Sequence, residues 1–397
     1  MTSPSRSVLS PSLKRDADAF ELSPDTLHLN HGSYGAVPRA VRLEQQRLRA
    51  AIERNPTGYF HEEFPGAMRE MAGRVARRFG GHGDEWVFCE NATAAVSGIL
   101  HSLPLASGDE ILTTSHAYGA VLKAMSLVAQ RRGAILRVAG LPPLLQHDDE
   151  AVNAIGRSLG PRTRLLVIDH ITSATATILP VQRIVELAHA NEVPVLIDGA
   201  HAPGQIALDV PAIGADWYTG NAHKWMFAPR GCGLLWTTPA RQESTRPAVL
   251  SHGTEQNYTA AFDWIGTRDP TPWLSFETAA RVHDDFGGAD LMARNRALAA
   301  EGARMIAEEL RFSVAGTPGT RAAMAAFIID EHGGPPERAD ALRRKLSADH
   351  RIMVPVSLFE GRLWLRISAQ IYNGPEDYER LIEACRALFP HRARVDI

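Results

Sequence analysis

Between Glu85 and about Thr238 the chain alternates two patterns: short unbroken apolar runs, and longer stretches in which apolar residues recur every three or four positions. The runs EWVFC, EILTT, AILRVAG, TRLLVIDHIT, VPVLIDGA, DWYTG and GCGLLWTT read as strands. ATAAVSGILHSL, YGAVLKAMSLVAQRR and VQRIVELAHANE read as the helices between them. Strands that are apolar throughout, rather than on alternate residues, are covered on both faces, and a helix crossing between consecutive strands sets them parallel. The expectation is an α/β fold, with a large domain built on a mostly parallel seven-stranded sheet between helices. From about Leu274 the pattern changes to two long helical stretches (275–287 and 289–311), then AMAAFIID, a helix near 336–348, LWLRIS, and a last helix from Pro375. This reads as a smaller α+β C-terminal domain, hinged in the Pro-rich stretch GTRDPTPW. The division expected is an N-terminal arm (1–30), a large domain (31–270) and a small domain (271–397). About the first 18 residues read as a loose polar arm without a hydrophobic signal core.

Composition narrows the partners. Over 397 residues the net charge is -3, with 22% charged and 45% hydrophobic residues. No basic field points to nucleic acid, and no apolar run approaches the roughly 18 residues of a membrane span. Cys89, Cys232 and Cys385 show no CxxC spacing, which fits a reducing cytoplasm. GxGxxG after a strand, GxxxxGK[ST] and HExxH are all missing, so nicotinamide, nucleoside triphosphate and zinc sites lack their fingerprints, and no metal is expected.

Ligands of open parallel sheets sit beyond the carboxyl ends of the strands, and three features of this chain fall there. VPVLIDGAH ends an apolar run in Asp198, a residue that could cap a turn or face a cationic ring nitrogen. FCENATAAV passes from strand to helix near Ala92, where unpaired N–H groups and the helix dipole favour a phosphate, with Asn91 and Thr93 as added donors. TGNAHKW places Lys224 after a strand and before Trp225, Met226 and Phe227. Burial among such neighbours strips an amine of its proton, and a neutral amine forms a Schiff base with an aldehyde. A lysine for the aldehyde, a carboxylate for the pyridinium nitrogen and a helix N-terminus for the phosphate are the parts of a pyridoxal 5'-phosphate site.

These residues lie within longer motifs: LNHGSYGAVP (29–38), ENATAAV (90–96), SHAYGAV (115–121), DHITSATATILPV (169–181), DGAHAPG (198–204), GNAHKW (220–225), IGTRD (265–269) and LRISAQIYN (365–373). In that order they resemble the class V aminotransferase family of fold-type I pyridoxal-phosphate enzymes, and within it the isopenicillin N epimerase-like branch. The resemblance implies that Lys224 bonds the cofactor and moves the substrate's α-proton, and that Asp198 partners the pyridine nitrogen. It sets His201 and Ser173 near the ring's phenolic oxygen. Asn91, Ala92, Thr93, Asn221 and His223 are placed at the phosphate, with Thr267 reaching the phosphate of a second subunit in a homodimer. Arg366 resembles the arginine that binds the substrate α-carboxylate in a bidentate fork, and Asn30 and His31 resemble a segment closing over the substrate. His116 or Tyr118 stacks on the ring, His116 being preferred, and the other reaches substrate or acts as a second acid. The implied activity is chemistry at the α-carbon of an amino acid, as an epimerase or racemase or a C–S β-lyase, ahead of a transaminase or a non-catalytic cofactor-binding protein. Desulfurases of the family carry a nucleophilic cysteine ahead of the substrate arginine; ADHRIMVPVSLFEGRLWLRIS has none.

Overall fold

The structure, a computed structural model, describes residues 16–389. A two-residue strand, β1 (Leu27–His28), precedes the large sheet. Its strands follow as β2 (Trp86–Cys89), β3 (Glu110–Thr114), β4 (Ile135–Ala139), β5 (Thr163–Asp169), β6 (Val195–Gly199), β7 (Trp217–Asn221) and β8 (Gly233–Thr237). The order across the seven-stranded sheet is β2-β8-β7-β6-β5-β3-β4. From β7 to β4 every neighbouring pair is parallel, while β8 runs antiparallel to both β7 and β2. This is the mostly parallel sheet that the apolar runs require.

Alternate residues of those runs feed two different cores. Leu166, Ile168, Val195 and Ile197 join one cluster; Leu165, Val167 and Leu196 join another. Period-two alternation is therefore present in the chain's geometry, but both faces are apolar because helices cover both. Strand β4 closes one edge, and there Ile135, Arg137 and Val138 lie outside the core.

The smaller unit holds β9 (Ser313–Val314), β10 (Met324–Asp330), β11 (Ile352–Met353), β12 (Val356–Phe359) and β13 (Arg362–Ser368). Four of these form an antiparallel sheet in the order β12-β13-β10-β9, while β11 pairs in parallel with β1. Helices Ala289–Leu310 and Pro375–Leu388 pack together beside that sheet.

Two sequence expectations change. The loose arm falls mostly on residues 1–15, which lie outside the described residues. The described part of 1–30 is packed: Phe20 sits among Phe227, Phe286 and Tyr372, and Leu27 and Leu29 enter the core of the smaller unit. The Pro-rich 266–273 stretch is not where the core changes. Trp273, Leu274, Phe276, Ala279 and Val282 belong to the large sheet's cluster, and the Trp273 indole N–H donates to the carbonyls of Cys89 and Gly231 at 3.1 and 2.8 Å. Proline marked a bend there, while tryptophan burial tied the following helix to the large sheet.

One turn shows how closely these layers meet. Gly204 has φ +82, and a Cβ there would stand 2.5 Å from the Trp225 carbonyl oxygen. Gly204→Ala is expected to cost more than about 1 kcal/mol, from left-handed strain plus backbone collision. The check is the thermal midpoint of the purified variant; an unchanged midpoint contradicts the packing described.

Candidate active site

The carboxyl ends of β5, β6 and β7 and the start of the helix Ala92–Ser102 surround a cleft of about 420 Å³. Lys224 reaches it from the loop after β7. The four residues that follow, Trp225, Met226, Phe227 and Ala228, are at most 1% exposed, so this loop is held by its own apolar half. Phe227 adopts φ +62, a conformation that only tight surroundings maintain in a bulky residue. On the other side, His31 Nε2 lies 3.0 Å from the Lys224 carbonyl oxygen, and its Nδ1 lies 2.9 Å from the Tyr372 hydroxyl. The carbonyl can only accept, so Nε2 carries the hydrogen and Nδ1 accepts from the tyrosine.

The Lys224 amine lies 3.2 Å from His201 Nε2. Burial, and then the positive charge of Arg366, lower its pKa to about 7 against the upward pull of Asp198 and Asp169. With Nε2 accepting from lysine, the His201 hydrogen sits on Nδ1, which is buried and has no acceptor among the described residues. Asp198, 3% exposed near the end of β6, accepts from the Ala200 N–H at 3.0 Å, and burial raises its carboxyl pKa against the pull of Lys224.

At the far end, Asn91 caps the helix, its Oδ1 accepting from the Ala94 N–H at 3.0 Å. The Asn221 Oδ1 accepts from the Ala92 N–H at 2.9 Å. Ala92 thus lines the phosphate end of the cleft with its amide turned to Asn221. Thr93 and His223 line the same end, and His223 Nδ1 donates to the Cys232 carbonyl at 3.2 Å.

Arg366, on β13, stands one side chain behind the wall. Its Nη1 donates to the Ser173 carbonyl at 2.7 Å and to Ser173 Oγ at 3.2 Å, and its Nη2 donates to Ser33 Oγ at 3.2 Å; Ser33 and Ser173 both line the cleft. The guanidinium is 7% exposed, its Nε has no partner among the described residues, and burial lowers its pKa to about 10. A buried cation held only by neutral oxygens is a site short of one anion.

The structure separates the other expected residues. Tyr118 lines the cleft and is 44% exposed. His116 does not line it: its Nδ1 meets Thr175 Oγ1 at 3.1 Å and its ring packs edge-on against Phe359. Of the two candidates for the stacking ring, Tyr118 lines the cleft and His116 does not; the polar turn 172–177 claims the histidine. Asn30 and His31 also stand outside the cleft, in a separate cavity of about 980 Å³, and the next residues of that turn, Ser33 and Tyr34, face the site instead. Thr267 lies on an exposed groove with Phe60 and Trp264, away from this chain's own cleft. Sequence reasoning missed Asp169, at the end of β5 and in register with Asp198. Its signal was present: LLVID ends in an acid just as VPVLID does.

Pyridoxal 5'-phosphate fits this set of groups. A desolvated amine, an acid facing it, an orphan imidazole N–H and a helix N-terminus sit in one cleft, and the unpaired guanidinium stands behind it. Sheet, lysine and acid together define a fold-type I α/β enzyme of the pyridoxal-phosphate class. The chain belongs to the class-V aminotransferase family, whose model matches residues 36–381. It is 32% identical over 385 residues to isopenicillin N epimerase of Streptomyces clavuligerus, covering 92% of this chain and 96% of that protein. It is 27% identical to a probable chloroplastic L-cysteine desulfhydrase of Arabidopsis thaliana, covering 92% of this chain and 83% of the relative. Among solved structures, C-DES with glycine covalently linked to its PLP cofactor superposes with a TM-score of 0.80 at 20% identity, covering 93% of this chain and 98% of the other.

The electrostatics yield a direct test. In cofactor-free protein, competitive labelling with a small acylating reagent is expected to show Lys224 titrating near pH 7. Asp198→Asn should move that midpoint down and Arg366→Gln should move it up, since each removes the named field. A midpoint near that of an ordinary lysine contradicts the burial.

Proposed function

We propose that the protein is a pyridoxal-phosphate enzyme that removes the α-proton of an amino acid carrying a free α-carboxylate, with epimerisation or C–S β-elimination as the outcome. The observation that carries the reading is the Lys224 amine, with its pKa brought to about 7 and 3.2 Å from His201, in a cleft shared with Asp198. Lys224 would hold the cofactor through Nζ, Asp198 its ring nitrogen, His201 and Ser173 its ring oxygen, and Thr93, Asn91, Asn221 and His223 its phosphate end. When bound, the cofactor supplies an electron sink for the substrate α-carbon.

This chain's residues do the rest. Arg366 takes the substrate carboxylate, exchanging its neutral Ser33 and Ser173 oxygens for a charged partner. Lys224, about half neutral near pH 7, accepts the α-proton at Nζ in its neutral form. Tyr118 presents a second exchangeable proton at the cleft wall, suited to returning a proton to the other face or to a leaving group. Both outcomes have a relative behind them, one an epimerase and one described as a probable cysteine desulfhydrase.

Transfer of sulfur through an enzyme persulfide has no support here. Cys89, Cys232 and Cys385 are all buried, and burial pushes each thiol up, that of Cys385 to about 12. A homodimer in the cytoplasm completes the proposal, the exposed Thr267 of each subunit serving the partner's phosphate end. No helix among the described residues is long and apolar enough to cross a membrane.

Incubation with L-amino acids, cysteine conjugates and their sulfoxides in deuterium oxide decides the outcome. Deuterium entry at the α-carbon without product release identifies an epimerase; pyruvate with ammonia or a thiol identifies a lyase. Neither exchange nor release across the panel would sink the reading. Lys224→Ala is expected to lower turnover by at least ~10²-fold and to abolish the visible absorbance band. Arg366→Gln is expected to raise KM on the order of 10–100-fold, the worth of a charge-assisted hydrogen bond.

A further inference from the structure

Asp169 has no task in the reading above, yet it sits where the cofactor's ring nitrogen would be held. Strands β5 and β6 are parallel neighbours with Asp169 opposite Asp198. Paired residues on adjacent strands share a face and stand about 4.8 Å apart, so the two carboxyl groups project side by side. Both line the cleft, at 4% and 3% exposure. Asp198 accepts from the Ala200 N–H at 3.0 Å.

The charges around the pair are few. Lys224 faces it from the loop after β7, and His201 follows β6 with its imidazole kept neutral by burial. Arg366 approaches from β13, beyond Ser173. Two adjacent carboxylates in so dry a place do not both ionise when the amine beside them is itself half neutral near pH 7.

We propose that Asp169 and Asp198 hold one proton between them, so that a single negative charge meets the ring nitrogen. This rests on the cofactor reading and deepens it: Asp169 is a positioning residue acting through Asp198. The two carboxyl groups stand side by side in register and line one cleft, where burial pushes both up and the Lys224 amine pulls both down. A cationic ring nitrogen against Asp198 would draw the charge to that acid and leave the proton on Asp169.

Two measurements decide it. Infrared spectra of cofactor-free protein at neutral pH are expected to show a protonated-carboxyl band that disappears in Asp169→Asn. The dissociation constant for pyridoxal 5'-phosphate, read by fluorescence, should stay within about threefold of wild type in Asp169→Asn, which keeps the donor and the acceptor. It should weaken about tenfold or more in Asp169→Ala, which leaves Asp198 without the partner that shares its proton. An absent carboxyl band, or an asparagine variant as weak as the alanine one, overturns the proposal. The isosteric asparagine variant keeps the test open should the alanine variant not fold. If wild-type protein takes up no pyridoxal phosphate, the cofactor reading fails by itself, and the infrared band still decides where the proton lies.

Discussion

The removal of water from one amine organises this molecule. A lysine on a solvated loop stays protonated at neutral pH and attacks nothing; Lys224 is useful because the fold withdraws its solvent without giving it a carboxylate salt bridge. That takes more than a hydrophobic flank. Residues 225–228 anchor the loop from beneath, while the His31 N–H holds the Lys224 carbonyl from the side. Gly35 permits the approach: any Cβ there would lie 2.1 Å from the carbonyl oxygen of His223. The segment near the start of the described chain, far from Lys224 in sequence, is in this way part of the device that sets the lysine's position.

Charge balance follows from the same dryness. The cleft gathers one amine of low basicity and two acids that this amine pulls down, with a guanidinium lacking any acid behind its wall. Each alone is an unfavourable burial. Together they make a site whose uncompensated groups match the ends of a zwitterionic ligand and a phosphorylated cationic ring. The helix Ala92–Ser102 contributes its N-terminal dipole at the phosphate end, with Asn91 and Asn221 occupying two of its amides and so fixing where an anion can sit.

Much of this was legible in the chain, for an identifiable reason. Buried parallel strands must be apolar throughout, so a polar residue closing such a run stands out; Asp198 and Lys224 were visible on that ground. Asp169 obeys the same rule, and went unremarked because one acid satisfied the chemistry being sought. Side-chain direction inside a turn carries no such signal. In NHGSYG and SHAYG the residue types were right, but a shift of one to three positions decides which side chain faces the cleft, and that is set by long-range partners. Tyr372 and the Lys224 carbonyl draw His31 away, and Thr175 with Phe359 draws His116 away. The packing of the Pro-rich stretch was hidden for a related reason: proline is read locally, whereas the indole of Trp273 bonds to Cys89 and Gly231, far away in sequence.

The reaction's outcome is narrowed by which side chains the cleft omits as much as by those it holds. Once an α-proton has left, the products diverge according to the next proton donor and the departing group. The thiols are buried in strands and a helix, where packing rather than reactivity accounts for them, so sulfur leaving a substrate meets no protein nucleophile. Two exposed phenols, Tyr34 and Tyr118, line the cleft, and Tyr118 is the less exposed of the two. Under the proposed function, Tyr118 can reprotonate carbon or accompany a leaving group, depending on the length of the substrate side chain lying against it. On that proposal, the shape of that side chain, rather than a further catalytic group, would separate epimerisation from elimination.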